Sequence, residues 1–244
     1  MAKPKFIELG ELQIPILYED RSVIAIDKPV DWLLVPDDWT QTSRNLQAAI
    51  NDSIAMRDFW AHSRNLHFLR YVHRLDAETS GVLLCVKNPS AMPEYSRLFE
   101  SRQMEKVYLA GVHDEPRQQE WTCREPLGPA LGKAGRMKVD TRTGKPAETH
   151  FRVLEARAGR ALIEARPLTG RTHQIRVHLA HCGHAVLGDS LYRPLGKSDD
   201  MPFALRAVAL SYTDPFTRRR VHITAPTEEF LHMNGFAVKG RRQH

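Results

Sequence analysis

Cysteine is scarce in this sequence, with only three among 244 residues, at positions 85, 123 and 182. Small secreted domains that depend on disulfides carry many more cysteines, at close spacings. The three cysteines here are too few and too scattered for a disulfide framework. Their number favours a reducing compartment, and we expect a cytoplasmic protein.

Long apolar runs are also lacking, since no stretch approaches the ~18–20 apolar residues of a membrane-spanning helix. The first residues, MAKPKFIELGELQ, do not contain the apolar core of a secretory signal. We find neither an internal repeat nor a low-complexity linker. These observations argue against a membrane protein and a repeat array, so we expect a soluble protein with no membrane partner.

Acidic residues are fewer than basic ones, 29 against 35, which gives a formal net charge of +6 and an isoelectric point near 9.3. Residues 160–225 contain ten Lys or Arg but only five Asp or Glu, and the C-terminal tail adds Lys239, Arg241 and Arg242. Such a surplus indicates either a solvated basic surface or a groove for a phosphate backbone. The charge leaves both interpretations open, although it favours a polyanionic partner.

Hydrophobic periodicity predicts more strands than helices. Several of the strands follow one another at hairpin spacing, so we expect an α+β fold with a mixed, mostly antiparallel β-sheet. Residues 128–147, rich in Gly, Lys, Arg and Thr, are predicted to form a long mobile loop. Strands are predicted within 14–27, around a turn at 19–22, and over 82–86, 106–112, 151–155, 161–165, 205–212 and 219–223; helices are predicted over 42–56, 88–99 and 171–181.

Residues 73–81 (HRLDAETSG) lead into the apolar run 82–86. An aspartate before a Thr-Ser-Gly turn is typical of a turn cap, in which Asp76 would accept hydrogen bonds from the backbone. Paired with Glu78, it would instead offer two carboxylates for glycoside hydrolysis. Residues two apart on an extended segment share a face, whereas that reaction needs carboxylates on opposite sides of a bond. The residues by themselves therefore favour the turn cap.

Residues 167–181 (PLTGRTHQIRVHLAH) place Arg171 directly after a glycine, at the start of a predicted helix. A helix N-terminus with Arg and His side chains suits contact with a phosphate. The alternative is a zinc site from His178, His181, Cys182 and His184, but a matching second cluster of ligands is missing. The segment KVY at 106–108 places Tyr108 on a predicted strand. An aromatic residue on a strand belongs more often to the core than to a surface that stacks on a ligand.

Taken together, these segments resemble the motifs of the RluA-type pseudouridine synthases. The matching strings are HRLDAETSG at 73–81, KVY at 106–108 and LTGRTHQIRVHLA at 168–180, with IDKP at 26–29 and GDSLY at 188–192. The resemblance extends over residues 15–225. It departs from the family pattern G-x-P-I-x-G-D at 183–189, which read GHAVLGD, and residues 36–66 cannot be aligned.

The resemblance implies the pseudouridine synthase fold in a stand-alone catalytic domain over residues 14–235. A short extension at 1–13 and a basic tail at 236–244 would flank it, without a further N-terminal RNA-binding domain. It also implies that a monomer isomerises uridine to pseudouridine in a stem-loop of rRNA or tRNA, with no cofactor and no metal. The alternative is a non-catalytic RNA-binding protein on the same scaffold.

The same resemblance implies a set of site residues. Asp76 is expected to be the catalytic aspartate, which either attacks carbon 1′ of the ribose or removes its 2′ proton. Tyr108 is expected to stack on the flipped uracil, and Arg171 to pair with Asp76 and keep it ionised. Arg74 would help to displace the target base. Further substrate contacts are expected from His73, His173, Ile175 and Arg176, with Ile175 as part of the apolar wall of the pocket.

Overall fold

The structure, a computed structural model, describes residues 3–34, 44–130, 132, 135–193 and 200–237. These residues form two compact units. The first contains the described residues up to Glu105 together with Ala209–Ala225, and the second contains Lys106–Val208 together with the described residues from Pro226 onward. The chain therefore enters each unit twice. In the part of the chain that is described, no helix is long and apolar enough to cross a membrane.

The first unit combines an antiparallel sheet with short helices. It begins with strands β1 (Phe6–Leu9), β2 (Leu12–Glu19) and β3 (Val23–Lys28), and continues with helices α1 (Leu46–Ala55) and α2 (Phe59–His62). Strands β4 (Arg70–Tyr71) and β5 (Ser80–Val86) then lead into a 3-10 turn at Pro89–Ala91 and helix α3 (Met92–Glu100). The strand order is β1-β2-β3-β5, and β4 pairs with β5.

Strands β3 and β5 form the centre of this unit because nearly all of their side chains are apolar and buried, which is typical of strands covered on both faces. Helix α3 packs Tyr95 and Leu98 into the same core. The register pairs Lys28 with Gly81. The end of β3 therefore lies beside the start of β5, where residues 73–79 join the sheet.

The second unit is built mainly from antiparallel strands. The strands are β6 (Glu105–His113), β7 (Glu120–Cys123), β8 (Leu127–Pro129), β9 (Met137–Val139), β10 (Thr149–Arg157) and β11 (Arg160–Pro167), followed by α4 (Gln174–His181). Four of the strands follow the order β6-β11-β10-β7, and α4 packs on the core through Ile175 and Leu179. Strand β12 (Leu205–Thr213) then runs into the first unit and pairs there with β13 (Arg220–Thr224), and α5 (Glu228–Met233) follows.

The predicted α+β class is confirmed. Every pair of strands with a described register is antiparallel, as in the hairpins β1–β2, β10–β11 and β12–β13. The predicted strands at 82–86 and 106–112 and the hairpin around residues 158–160 are present, with bounds that differ by a few residues. The apolar runs that predicted them are the runs that fill the two cores.

Three predictions need correction or lie outside the structure. The predicted mobile loop at 128–147 is wrong, because strands β8 and β9 pair within it and pack Leu127 against Val177. The helix predicted from residue 171 begins at Gln174, because His173 has a left-handed backbone with φ 54°. Residues 35–43 and the basic residues of the tail (Lys239, Arg241 and Arg242) lie outside the described residues. The predicted domain boundaries at 14 and 235 stay a prediction.

Candidate active site

In the first unit, residues 73–79 form a loop between β4 and β5, which we call the aspartate loop. Its turn is closed by the Thr79 N–H, which donates to the carbonyl oxygen of Asp76 over 3.1 Å. Leu75 and Thr79 are buried, whereas Asp76 is half-buried and Arg74 is exposed. Buried Leu75 and Thr79 therefore anchor the loop, and Asp76 and Arg74 stay accessible.

His73 anchors the start of the aspartate loop. Its Nε2 atom accepts a hydrogen bond of 3.0 Å from the backbone N–H of Leu84, and its ring stacks on Phe99 with centroids 4.7 Å apart. A ring nitrogen that accepts a hydrogen bond carries no proton. His73, expected to contact substrate, thus takes a structural place in the sheet of the first unit.

Lys28, at the end of β3, holds the other end of the aspartate loop. Its side chain is fully buried, and Nζ donates to the carbonyl oxygens of Ala77 (2.8 Å), Thr79 (3.0 Å) and Pro29 (2.9 Å). Burial lowers the pKa of Lys28 to about 8, although nearby carboxylates, Asp76 first among them, oppose that shift. Two signals are present in the sequence: the lysine ends a strand that is apolar apart from Asp27, and it belongs to the IDKP string at 26–29.

In the second unit, residues 168–173 form a loop between β11 and α4, which we call the arginine loop. Buried Gln174 organises it, because its Oε1 accepts from the Thr169 hydroxyl (2.6 Å) and from the Arg171 N–H (3.0 Å). Its Nε2 donates to the carbonyl oxygen of Glu148 and to the Thr149 hydroxyl, both at 2.9 Å. One side chain thus fixes the backbone on both sides of Gly170.

Lys106 connects the strand of Tyr108 to the arginine loop. Its Nζ donates to the carbonyl oxygen of Thr169 over 2.9 Å, and burial lowers its pKa to about 8. Two residues further along β6, half-buried Tyr108 pairs with Ala165 of β11, the strand that leads into the loop. Tyr108 and the backbone before Arg171 are therefore positioned by the same pair of strands.

The side chain of Arg171 is half-buried, and its Nε donates to the carbonyl oxygen of Pro146 over 3.0 Å. His173, at the end of the arginine loop, shares a hydrogen bond of 2.8 Å with the Tyr192 hydroxyl. That hydroxyl also accepts from the Met137 N–H over 2.8 Å. His173 is therefore linked through Tyr192 to the β8–β9 hairpin.

Ile175 and Arg176, from which contacts with substrate are expected, are both buried within the second unit. Arg176 is 1% exposed, and it makes a two-pronged ion pair with Asp189 at 2.8 and 2.9 Å. Its guanidinium carbon lies 5.3 Å from the ring centroid of Tyr192. The reason is that α4 is buried on nearly every side, so its charged side chain needs an internal partner.

The histidines of α4 are not arranged as a metal site in the residues that the structure describes, which contain no group of three or more His, Cys, Asp or Glu suited to holding an ion. His178 is fully buried, with Nδ1 2.9 Å from the Thr149 hydroxyl and Nε2 2.9 Å from the carbonyl oxygen of Glu125. Both ring nitrogens are therefore engaged with protein atoms. The side chain joins α4 to the sheet.

Comparison with known proteins places this architecture among RNA-modifying enzymes. The family model described as RNA pseudouridylate synthase matches residues 22–181. The chain is similar to the ribosomal large subunit pseudouridine synthase C of Salmonella typhimurium, with 32% identity over 237 residues, which cover 93% of this chain and 71% of the relative.

Two solved human structures resemble the fold. RNA pseudouridylate synthase domain containing 1 superimposes with a TM-score of 0.68 at 28% identity, over 87% of this chain and 83% of that one. RNA pseudouridylate synthase domain containing 4 superimposes with a TM-score of 0.74 at 22% identity, over 92% and 94%. The second likeness concerns the fold alone.

Proposed function

The chain belongs to the RNA pseudouridylate synthase family, an isomerase family that acts on RNA, and from this membership we propose that Asp76 is its catalytic carboxylate. One observation carries the assignment. Asp76 is half-buried on a loop that buried Lys28 holds through the carbonyl oxygens of Ala77 and Thr79. A catalytic group must be held in place while it stays accessible, and this loop meets both needs.

The reaction rearranges bonds within one nucleotide. The bond between uracil nitrogen 1 and ribose carbon 1′ breaks, the base turns, and uracil carbon 5 bonds to the same carbon 1′. In one route the Asp76 carboxylate attacks carbon 1′, and in the other it removes the 2′ proton. Both routes need an ionised aspartate.

We assign supporting roles to three further accessible side chains. A base in a stem-loop must leave its stack before its glycosidic bond can be reached. Exposed Arg74, two residues before Asp76, is suited to occupy the place that the target base leaves in the stack. Tyr108 fits the platform for the flipped uracil, and Arg171 fits a cation that acts on the substrate. Ile175 and Arg176 are left out of this proposal because both are buried within the second unit.

The substrate that we propose is a stem-loop of ribosomal RNA, ahead of transfer RNA. The support is the similarity to a relative that is named for the large ribosomal subunit. The basic surplus of the chain, 35 Lys or Arg against 29 Asp or Glu, suits contact with a phosphate backbone.

Release of tritium tests the catalytic assignment. Ribosomal and transfer RNA labelled with tritium at uracil carbon 5 lose that label to water when carbon 5 bonds to the ribose. We expect the wild-type protein to release tritium, and Asp76→Asn, which keeps the shape of the side chain, to lose at least ~10³-fold in rate because its amide is neither nucleophile nor base. Asp76→Asn should still bind the same RNA.

The control is Asp52→Asn, which changes an exposed carboxylate of helix α1 and should leave the rate of release unchanged. Release by Asp76→Asn at the wild-type rate would remove Asp76 from the chemistry. RNA binding without release by the wild type, on every RNA tried, would favour the non-catalytic alternative.

A further inference from the structure

The second unit brings two of the three cysteines together. Cys123 ends β7 and pairs across the sheet with Thr149 of β10. The Thr149 hydroxyl lies 2.9 Å from Nδ1 of His178, and the carbonyl oxygen of His178 accepts the N–H of Cys182 over 3.0 Å. Both cysteines therefore flank one Thr149–His178 contact, although 58 residues separate them in the sequence.

The two thiols also share one core. Cys123 is buried in the core of the second unit, and Cys182 packs against that core. Cross-strand partners such as Cys123 and Thr149 share a face of the sheet, and His178 and Cys182 lie one turn apart on α4, so both thiols lie where the sheet meets the helix. Their exposure differs, because Cys123 is 5% exposed whereas Cys182 is half-buried at the end of α4. The third cysteine, Cys85, is buried in the first unit. The pair thus contains one thiol that solvent reaches and one that it does not.

The surroundings make the accessible thiol the reactive one. The neighbouring side chains, first Cys123 and then Trp121, lower the pKa of Cys182 to about 7 against the opposing effect of burial. Cys182, together with burial, raises the pKa of Cys123 to about 12. A thiolate is the attacking species in thiol–disulfide exchange. An accessible thiolate beside a second thiol is the arrangement found in redox-sensitive cysteine pairs.

We propose that Cys123 and Cys182 form a reversible thiol–disulfide pair in which Cys182 reacts first and Cys123 resolves the intermediate. The oxidant is a small-molecule disulfide such as glutathione disulfide. The Cys182 thiolate bonds to one of its sulfurs, and the other glutathione leaves as a thiolate. Cys123 then loses its proton, attacks the Cys182 sulfur and releases the second glutathione.

The two steps of this exchange conserve atoms and electrons. The two cysteine thiols give up two electrons and two protons, and one glutathione disulfide becomes two glutathione thiols. The product is a bond between the end of β7 and the end of α4, the helix that follows the arginine loop. This site does not depend on the proposed catalytic function, because neither cysteine belongs to it.

Mass spectrometry of the whole protein, with peptide mapping, tests the pair directly. After incubation with glutathione disulfide at neutral pH, we expect the wild type to lose two hydrogens in mass and to yield one peptide that links residues 123 and 182. Dithiothreitol should restore the original mass. The control variant Cys85→Ser should behave as the wild type does.

Single variants separate the two roles. Cys123→Ser should stop at one glutathione adduct on Cys182, whereas Cys182→Ser should show no adduct in the same time. With iodoacetamide at pH 7, Cys182 of the wild type should react at least ~10-fold faster than Cys85, because far more of it is thiolate. A wild type that stays unmodified, stops at a glutathione adduct, links to Cys85 or links between chains would overturn the proposal. Because these outcomes use the wild type, they stand even if a variant fails to fold.

Discussion

At the residue scale, one buried and one half-buried lysine support the candidate site without taking part in its chemistry. Lys28 donates to three backbone carbonyl oxygens around the aspartate loop, and Lys106 donates to one in the arginine loop. A hydrogen bond from a charged donor is worth about 1.5–3 kcal/mol, more than a neutral one. These cations therefore fix loops that contain no regular secondary structure.

We predict that Lys28→Met lowers the rate of tritium release at least ~10-fold, because the carbonyl oxygens of Ala77 and Thr79 lose a charged donor and the aspartate loop loosens. The matched control is Lys87→Met, since Lys87 is a half-buried lysine of the first unit that bonds Glu19 and the Asp20 carbonyl instead. Both variants should lose free energy of unfolding in a urea titration, and only Lys28→Met should lose turnover. Equal turnover in the two variants would show that the hydrogen bonds from Lys28 to the aspartate loop do not matter for the reaction.

At the element scale, the β8–β9 hairpin and helix α4 are joined by one side chain. The Tyr192 hydroxyl accepts from the Met137 N–H at the start of β9 and bonds Nδ1 of His173, just before α4. Its ring lies within 5.4 Å of the guanidinium carbon of Arg136. The hairpin is short, and an isolated pair of strands has little stability of its own. Its order therefore depends on Tyr192.

We predict that Tyr192→Phe costs about 1–2 kcal/mol in free energy of unfolding, because the Met137 N–H and His173 lose a shared partner while the ring remains. Hydrogen exchange should locate the change. The Met137 amide should exchange faster, whereas the Ile163 amide in β11 should keep its wild-type rate. Unchanged exchange at Met137 would show that other contacts order the hairpin.

The elements could be predicted from the sequence where a run of apolar residues fills a core, as in β5 and β11. The paired strands β8 and β9 could not, because each has three residues, β8 contains a glycine and a proline, and β9 contains a lysine. The motifs indicated Asp76, Tyr108 and Arg171 through resemblance alone. Lys28 and Arg176 were not predictable as buried groups, since a charged residue suggests exposure until its partners, distant in sequence, are known. The pairing of Cys123 with Cys182 likewise depends on tertiary contacts.

At the scale of the whole molecule, burial lowers the pKa of Lys28 in the first unit and of Lys106 in the second to about 8, against an ordinary value of 10.5. Between pH 8 and 10.5 the unfolded chain binds more protons at these lysines than the folded one does. Their contribution to the free energy of unfolding therefore rises with pH in that window. Turnover should follow the opposite course, because a neutral amine is a weaker donor to the loop carbonyls.

We predict that tritium release falls as pH rises through about 8, while the protein stays folded. Turnover should be measured from pH 7 to 9.5, with circular dichroism and a urea titration at each pH. Tyr18, whose pKa burial raises to about 12, titrates above this range and leaves the comparison intact. A flat profile of turnover, or a loss that tracks unfolding, would contradict the role given to the lysines.

Each unit is formed by two separate stretches of the chain, so neither can be completed early in synthesis. The core of the first unit needs Leu210, Tyr212, Val221 and Ile223 from strands β12 and β13. A ribosome delivers these residues more than a hundred positions after β5, so the first unit cannot complete its core while the second is being made. The second unit likewise takes Leu231 and Phe236 from the segment that follows β13. Both units thus close only as the last stretch of chain emerges, and a nascent chain stalled before residue 209 would expose two unfinished cores to chaperones and proteases.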